Sequence, residues 1–191
     1  MKKTTMSQIR IIGGMLRGSK IPVPPVNGLR PTPDRIRETI FNWLAFECRG
    51  ATVLDCFSGS GALGFEALSR GADSVTLIEQ DSKAGDNLKQ QIERLRLNHI
   101  KLYTGDALAL IPELGQAYSM VFIDPPYAFT HMREKVLSSL IDNHRLTEGA
   151  QIYLEWPQGE TFELSDPKLC WRKHKKAGQV HYAIAEWRLS R

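Results

Sequence analysis

Past the midpoint of the chain, Asp124-Pro125-Pro126-Tyr127 follows directly on the apolar run Ser119 to Ile123. Two prolines cannot continue a sheet ladder, so the backbone must leave a strand here as a stiff loop with free carbonyls. The Asp124 carboxylate and the Pro125 carbonyl are then two acceptors held close together. Such a pair suits an exocyclic amine on a planar ring, a weak nucleophile because its lone pair is delocalised. If each acceptor takes one N–H, the nitrogen is drawn toward tetrahedral geometry and its lone pair is aimed at an electrophile. Pro126 completes the stiff turn, and Tyr127 offers an aromatic face on which a displaced base can stack. Asp124 is also the nearest acceptor for the proton shed afterwards, with direct release to water as the other route.

A second motif lies upstream. Val53 to Gly64 matches G-x-G-x-x-G at Gly59, Gly61 and Gly64, with Glu79 ending the next apolar run. Glycine supplies the tight turn, and a carboxylate at that position can accept from both ribose hydroxyls. The glycines fit a nicotinamide-dependent oxidoreductase nearly as well as a methyltransferase. Asp55 favours the latter: a pyrophosphate wants an uncharged cradle at a helix N-terminus, whereas S-adenosylmethionine has no phosphate and carries a cationic sulfonium and ammonium. The plainer alternative makes Asp55 a turn or cap residue. Gly105-Asp106 follows the third strand, where the adenine would lie; Asp106 either accepts from its amino group or caps a short helix from Ala107, and the two roles are compatible.

The elements that must position these groups alternate. Strands are expected at Thr52 to Cys56, Ser74 to Ile78, Ile100 to Tyr103, Ser119 to Ile123 and Gln151 to Glu155, with helices between them; this is the pattern of parallel βα units. Asp81 is placed to cap a helix with Ala84, Leu88, Ile92 and Leu95 on one face, and another helix is expected over His131 to Asn143. Thr32, as cap, and Pro33 open a helix running to Phe46. Ile9 to Val26, broken by glycines and prolines, reads as a hairpin. Leu169 to Lys176 and Val180 to Leu189 read as a terminal hairpin joined around Gly178. The division is therefore a basic N-terminal extension, residues 1–31, and an α/β domain, residues 32–191.

Composition limits the rest. A chain of 191 residues with 42% apolar content suits one core, and no apolar run approaches the roughly 18 residues of a membrane span. No secretory signal opens the chain, and neither the three cysteines nor the five histidines are spaced as metal ligands, so a cytoplasmic protein without metal is expected. Residues 1–50 hold nine Lys and Arg against three Asp and Glu, and the remainder sixteen against eighteen. Arg10, Arg17, Lys20, Arg30, Arg35 and Arg37 therefore suggest a surface for phosphates. A second cluster, Lys168, Arg172, Lys173, Lys175 and Lys176, suits either an RNA contact or an edge strand guarded by charge.

Together these motifs make the chain similar to the RsmD family of class I, Rossmann-like methyltransferases. Ile11-Ile12-Gly13-Gly14, Arg17-Gly18, Leu29-Arg30-Pro31-Thr32, Arg35-Ile36-Arg37-Glu38 and Phe41-Asn42-Trp43-Leu44 carry the likeness with the tetrapeptide. The resemblance implies a seven-stranded sheet, five strands parallel plus the terminal hairpin, with the final strand antiparallel. It also implies methyl transfer from S-adenosylmethionine to N2 of a guanine in 16S ribosomal RNA, read as RNA or as the small ribosomal subunit, by a monomer. Asp55, Ser58, Gly59 and Gly61 would hold the methionine part, Glu79 the ribose, Asp106 and Ala107 the adenine, and Asp124 to Tyr127 the target base; Arg10, Arg17, Lys20, Arg30 and Arg35 would grip RNA. An adenine-N6 or cytosine-N4 methyltransferase acting on DNA or another RNA, and an RNA-binding assembly factor with an idle pocket, are the alternatives.

Overall fold

The computed structural model describes residues 7–26, 31–126, 129 and 131–189. Two short strands, β1 (Gln8–Arg10) and β2 (Lys20–Pro22), pair antiparallel. After them come α1 (Asp34–Trp43), β3 (Thr52–Asp55), α2 (Ala62–Ser69), β4 (Ser74–Glu79), α3 (Ser82–Leu95), β5 (Ile100–Thr104), α4 (Ala107–Leu110), β6 (Tyr118–Ile123), α5 (Met132–Asp142), β7 (Leu146–Pro157), β8 (Leu169–Ala177) and β9 (Val180–Trp187). Strands β3 to β9 form one sheet in the order β5-β4-β3-β6-β7-β9-β8. The five strands β3 to β7 are mutually parallel, and β9 inserts antiparallel between β7 and β8. This is the doubly wound sheet the resemblance implied. Among the described residues no helix is long and apolar enough to cross a membrane.

Helices cover both faces, which is why the central strands read as nearly unbroken apolar runs. Alternate residues still divide: Val53, Met120, Phe122 and Tyr153 join one core, while Leu54, Val121, Ile123 and Leu154 join the other. The first core also takes in Ile9, Ile11, Ile21 and Val23, so the N-terminal hairpin is packed against the sheet domain. Polar groups fasten it as well. Glu66 of α2 is fully buried and accepts from the N–H of Ile12 at 2.8 Å and of Gly13 at 2.9 Å. Gly14 has a φ of 77°, and a Cβ there would lie 1.7 Å from the Ser69 carbonyl oxygen. Only glycine lets the hairpin loop approach α2 this closely.

Side-chain caps explain the starts of α3 and α4. The Asp81 carboxylate accepts from the Ala84 N–H at 2.9 Å and caps α3, burying Ala84 and Leu88. Thr32 departs from expectation: α1 has Pro33 at its cap position and no side-chain capping bond, because the Thr32 hydroxyl donates to Asp124 instead, at 3.4 Å. Strand β7 begins five residues earlier than its apolar run, since Leu146 already pairs with Tyr118 before an irregularity near Met120. The polar stretch Thr147 to Gly149 hides that start in the sequence.

Candidate active site

From β3 the chain winds through β4 to β5, then crosses back to β6 on the other side of β3. The crevice between the carboxyl ends of β3 and β6 is therefore the point where the winding reverses, and open α/β sheets bind ligands there. Asp55 ends β3 and pairs in register with Phe122, two residues before Asp124. The loop after Asp55 is held on both sides: Cys56 N–H donates to Phe122 O at 3.0 Å, and Ser58 N–H to Ile78 O at 2.9 Å. Gly61, with φ 80°, then opens α2.

The cofactor candidates meet at this edge. Glu79 accepts from Gly59 N–H at 2.6 Å and from Asp81 N–H at 2.8 Å, and its own carbonyl accepts from Gly105 N–H at 2.9 Å. The ends of β3, β4 and β5 are thus tied together around one residue. Ser58 is buried, and its hydroxyl donates to the Asp55 carbonyl at 3.1 Å, so it shapes the loop from within. Asp106 accepts from Ala109 N–H at 3.1 Å and caps α4, with Ala107 buried behind it.

Acidity dominates the centre. Asp55 is 3% exposed and accepts from Gly64 N–H at 3.2 Å. Burial pushes its carboxyl up to about 7 against that hydrogen bond, and Glu79 adds to the rise. Asp124 is held well above the usual carboxylate range by burial first, then by Glu155 and Asp55; Thr32 and Arg133 oppose the rise. Glu155 itself lies buried in β7 and accepts from the Tyr153 hydroxyl at 2.7 Å. Three carboxyls around one crevice favour a positively charged ligand. Backbone N–H groups of the glycine loop, meanwhile, turn to Glu79 and Asp55. That donor set fits S-adenosylmethionine and does not fit a pyrophosphate.

Of the target-base residues, Pro125 is buried and Pro126 exposed. The Pro126 carbonyl accepts from Phe129 N–H at 2.8 Å; among the described residues the Pro125 carbonyl accepts no hydrogen bond. Tyr127 and Arg30 lie outside the described residues. Arg10, Arg17 and Lys20 are exposed on the hairpin and Arg35 on α1; Arg10 and Arg17 line a cleft of about 340 Å³ shared with Asp34 and Glu38. Arg37 is not a phosphate contact. It is fully buried and donates to the Arg10 carbonyl at 2.8 Å and to Asp34 at 2.6 Å, joining α1 to the hairpin. Thr32 and Glu155 were missed as site residues. A lone acid inside the apolar Ile152 to Trp156 stretch was the one signal for Glu155; nothing local marked Thr32.

Comparison with known proteins shows the family. Residues 9–186 match the family model described as conserved hypothetical protein 95. The chain is 42% identical over 187 residues to ribosomal RNA small subunit methyltransferase D of Escherichia coli strain K12, covering 96% of this chain and 94% of that protein. It is 36% identical over 181 residues to the protein of the same name from Haemophilus influenzae, covering 93% of each. Among solved structures, the yhhF protein of Escherichia coli superposes with a TM-score of 0.88 at 37% identity, covering 96% of this chain and all of that one. A Haemophilus influenzae chain superposes with a TM-score of 0.81 at 32% identity, over 95% and 99% of the two chains.

Proposed function

The chain belongs to the conserved hypothetical protein 95 family, the RsmD family of the resemblance, and on that premise we propose that it transfers a methyl group from S-adenosylmethionine to the exocyclic N2 amine of a guanine in small-subunit ribosomal RNA. The observation that carries the chemistry is the seating of Asp124 and Pro125 at the point where the sheet reverses, two residues beyond the register pair of Asp55 and Phe122. The names of the relatives support ribosomal RNA as substrate. The pair of acceptors supports an amine.

Asp55 and the loop from Ser58 to Gly61 would hold the methionine part of the cofactor, Glu79 its ribose, and Asp106 with Ala107 its adenine. When bound, S-adenosylmethionine supplies a methyl carbon made electrophilic by the sulfonium. The protein's part is to prepare the nucleophile. The Asp124 carboxylate and the Pro125 carbonyl each accept one N–H of the target amine, which localises its lone pair in one direction. Thr32 donates to Oδ2 of Asp124 and so fixes the carboxylate plane. The positive charge of a bound cofactor favours the ionised form of Asp124 over the protonated form that its acidic neighbours promote. Tyr127 would stack on the base.

The test uses small ribosomal subunits and naked ribosomal RNA from cells lacking the protein. They are incubated with methyl-labelled S-adenosylmethionine, and the RNA is digested to nucleosides for mass spectrometry. Label in N2-methylguanosine is expected. Label in N6-methyladenosine or N4-methylcytosine would reassign the base, and no transfer to either substrate would remove the activity.

A further inference from the structure

The edge strand β8 carries Arg172, Lys173, Lys175 and Lys176, and its direction decides what they face. Because β8 pairs antiparallel with β9, and β9 antiparallel with β7, β8 runs parallel to the five central strands. Its carboxyl end therefore lies on the same edge of the sheet as Asp55, Glu79 and Asp124. The register makes this specific. Ile123 pairs with Leu154, so Asp124 and Glu155 are the next positions on their strands. Glu155 pairs with Tyr182 and Tyr182 with Lys175. One cross-strand row thus runs from Asp124 to Lys175 over three strand spacings, about 14 Å. Trp43 of α1 stacks on Tyr182 at 5.4 Å and covers the middle of that row.

The charge is balanced at one end of β8 and open at the other. Arg172 pairs with Glu186 and approaches Glu47 at 3.9 Å. Lys173, Lys175 and Lys176 are exposed, and among the described residues none of them enters an ion pair. The uncompensated lysines are thus the ones toward the catalytic edge. Side chains alternate along the strand: Lys173 and Lys175 pair with Ile184 and Tyr182 of the first core, while Lys176 shares the other face with His174, which stacks on Trp156 at 5.3 Å. Lysines that merely blocked edge pairing would need no such bias along the strand. Unpaired cations at the end of an edge strand, with a ring stack beside one of them, form a surface that single-stranded nucleic acid follows.

We propose that the carboxyl-terminal half of β8 is a second RNA-binding site, holding the phosphates of the nucleotides that flank the target base. The inference rests on the proposed function for the position of that base. A displaced base at Asp124 leaves its own backbone at the sheet edge, and Lys175, Lys176 and Lys173 lie along the path of the next few nucleotides on the β7 side. Arg35, exposed near the start of α1, belongs to the other basic surface, so the RNA would be held on both sides of the reacting nucleotide.

The test compares a Lys173→Ala, Lys175→Ala, Lys176→Ala variant with a charge-matched control, Lys83→Ala, Lys89→Ala, Lys101→Ala, whose positions lie on α3 and β5 at the far end of the sheet. Binding to a small-subunit ribosomal RNA fragment is measured across salt concentrations, with methyl-transfer kinetics and sedimentation alongside. The β8 variant should lose about tenfold in affinity, show a KM raised about tenfold, keep its kcat and remain unassociated, and the slope of log affinity against log salt should become shallower by about 2, the release expected from three lost phosphate contacts. The control should match the wild type. If the β8 variant keeps wild-type affinity and slope, or self-associates instead, β8 is a guarded edge and the proposal is overturned. If the wild type binds RNA through these lysines but transfers no methyl, the activity fails and the binding site stands; if it transfers methyl with no dependence on them, the reverse holds.

Discussion

In the proposed reaction Asp124 would hold an amine while two other carboxyls press on it, and its partners decide whether it can. Its carboxyl is raised by burial and by Glu155 and Asp55, so the ionised acceptor depends on Thr32 and on positive charge arriving with the cofactor. Asp124→Ala removes one of the two acceptors for the amine. Turnover should fall by about 10² or more, with a much smaller loss of affinity for S-adenosylmethionine by calorimetry; equal losses in both would contradict the division between cofactor and base residues. Asp55 makes the opposite demand, because its carboxyl sits at about 7 in the free protein. With a folded value above the unfolded one, an ionised Asp55 costs stability, and that cost grows as pH rises from about 4 to about 7. A cationic ligand reverses the penalty, so binding should release a proton below about pH 7, and affinity should strengthen from about pH 6 and level off above about pH 7. Titration calorimetry over that range, with Asp55→Asn expected to bind weakly and without the pH dependence, checks the sign. Both acids were legible from residue type and place in the motif. Thr32 was not, since its partner lies 92 residues away and a threonine before a proline reads as a helix cap.

Most elements were legible because each has a local cause: an Asp at a cap, a glycine where φ is positive, apolar runs for strands covered on both faces. What escaped was the junction between elements. The Ala62 to Ser69 stretch forms a helix buried all round, and an acid there would ordinarily mark a solvent face. Glu66 instead spends one oxygen on Ile12 N–H and the other on Gly13 N–H and on Arg70, 2.7 Å away, with Arg37 at 3.6 Å. Removing it leaves two backbone donors without an acceptor and takes the countercharge from Arg70 and from the buried Arg37 guanidinium. Glu66→Ala should therefore cost about 3 to 5 kcal/mol in urea unfolding. Limited proteolysis should find the segment before residue 26 cut faster than in the wild type. Wild-type stability together with unchanged proteolysis would mean that the apolar contacts of Ile9, Ile11, Ile21 and Val23 suffice to hold the hairpin.

At the scale of the whole molecule, the small net charge of +4 hides a separation. The acids that matter converge at the reversal point of the sheet, where they favour a cation and repel phosphate. The unpaired bases lie to either side, on the hairpin with α1 and on β8. On the proposed function an RNA strand would be drawn to the flanks while only its uncharged base entered the acidic centre. This arrangement separates grip from chemistry and so makes them separable by experiment. Replacing Arg10, Arg17 and Lys20 with alanine removes exposed cations whose side chains are remote from the carboxyl cluster in the sequence and absent from its hydrogen bonds. The KM for RNA should rise and the slope of log affinity against log salt should become shallower by about 2, while kcat at saturating RNA and the affinity for S-adenosylmethionine stay at wild-type values. An unchanged slope would take the hairpin out of the interface, leave Arg10 and Arg17 as partners of the acids that share their cleft, and shift the grip to Arg35 and β8.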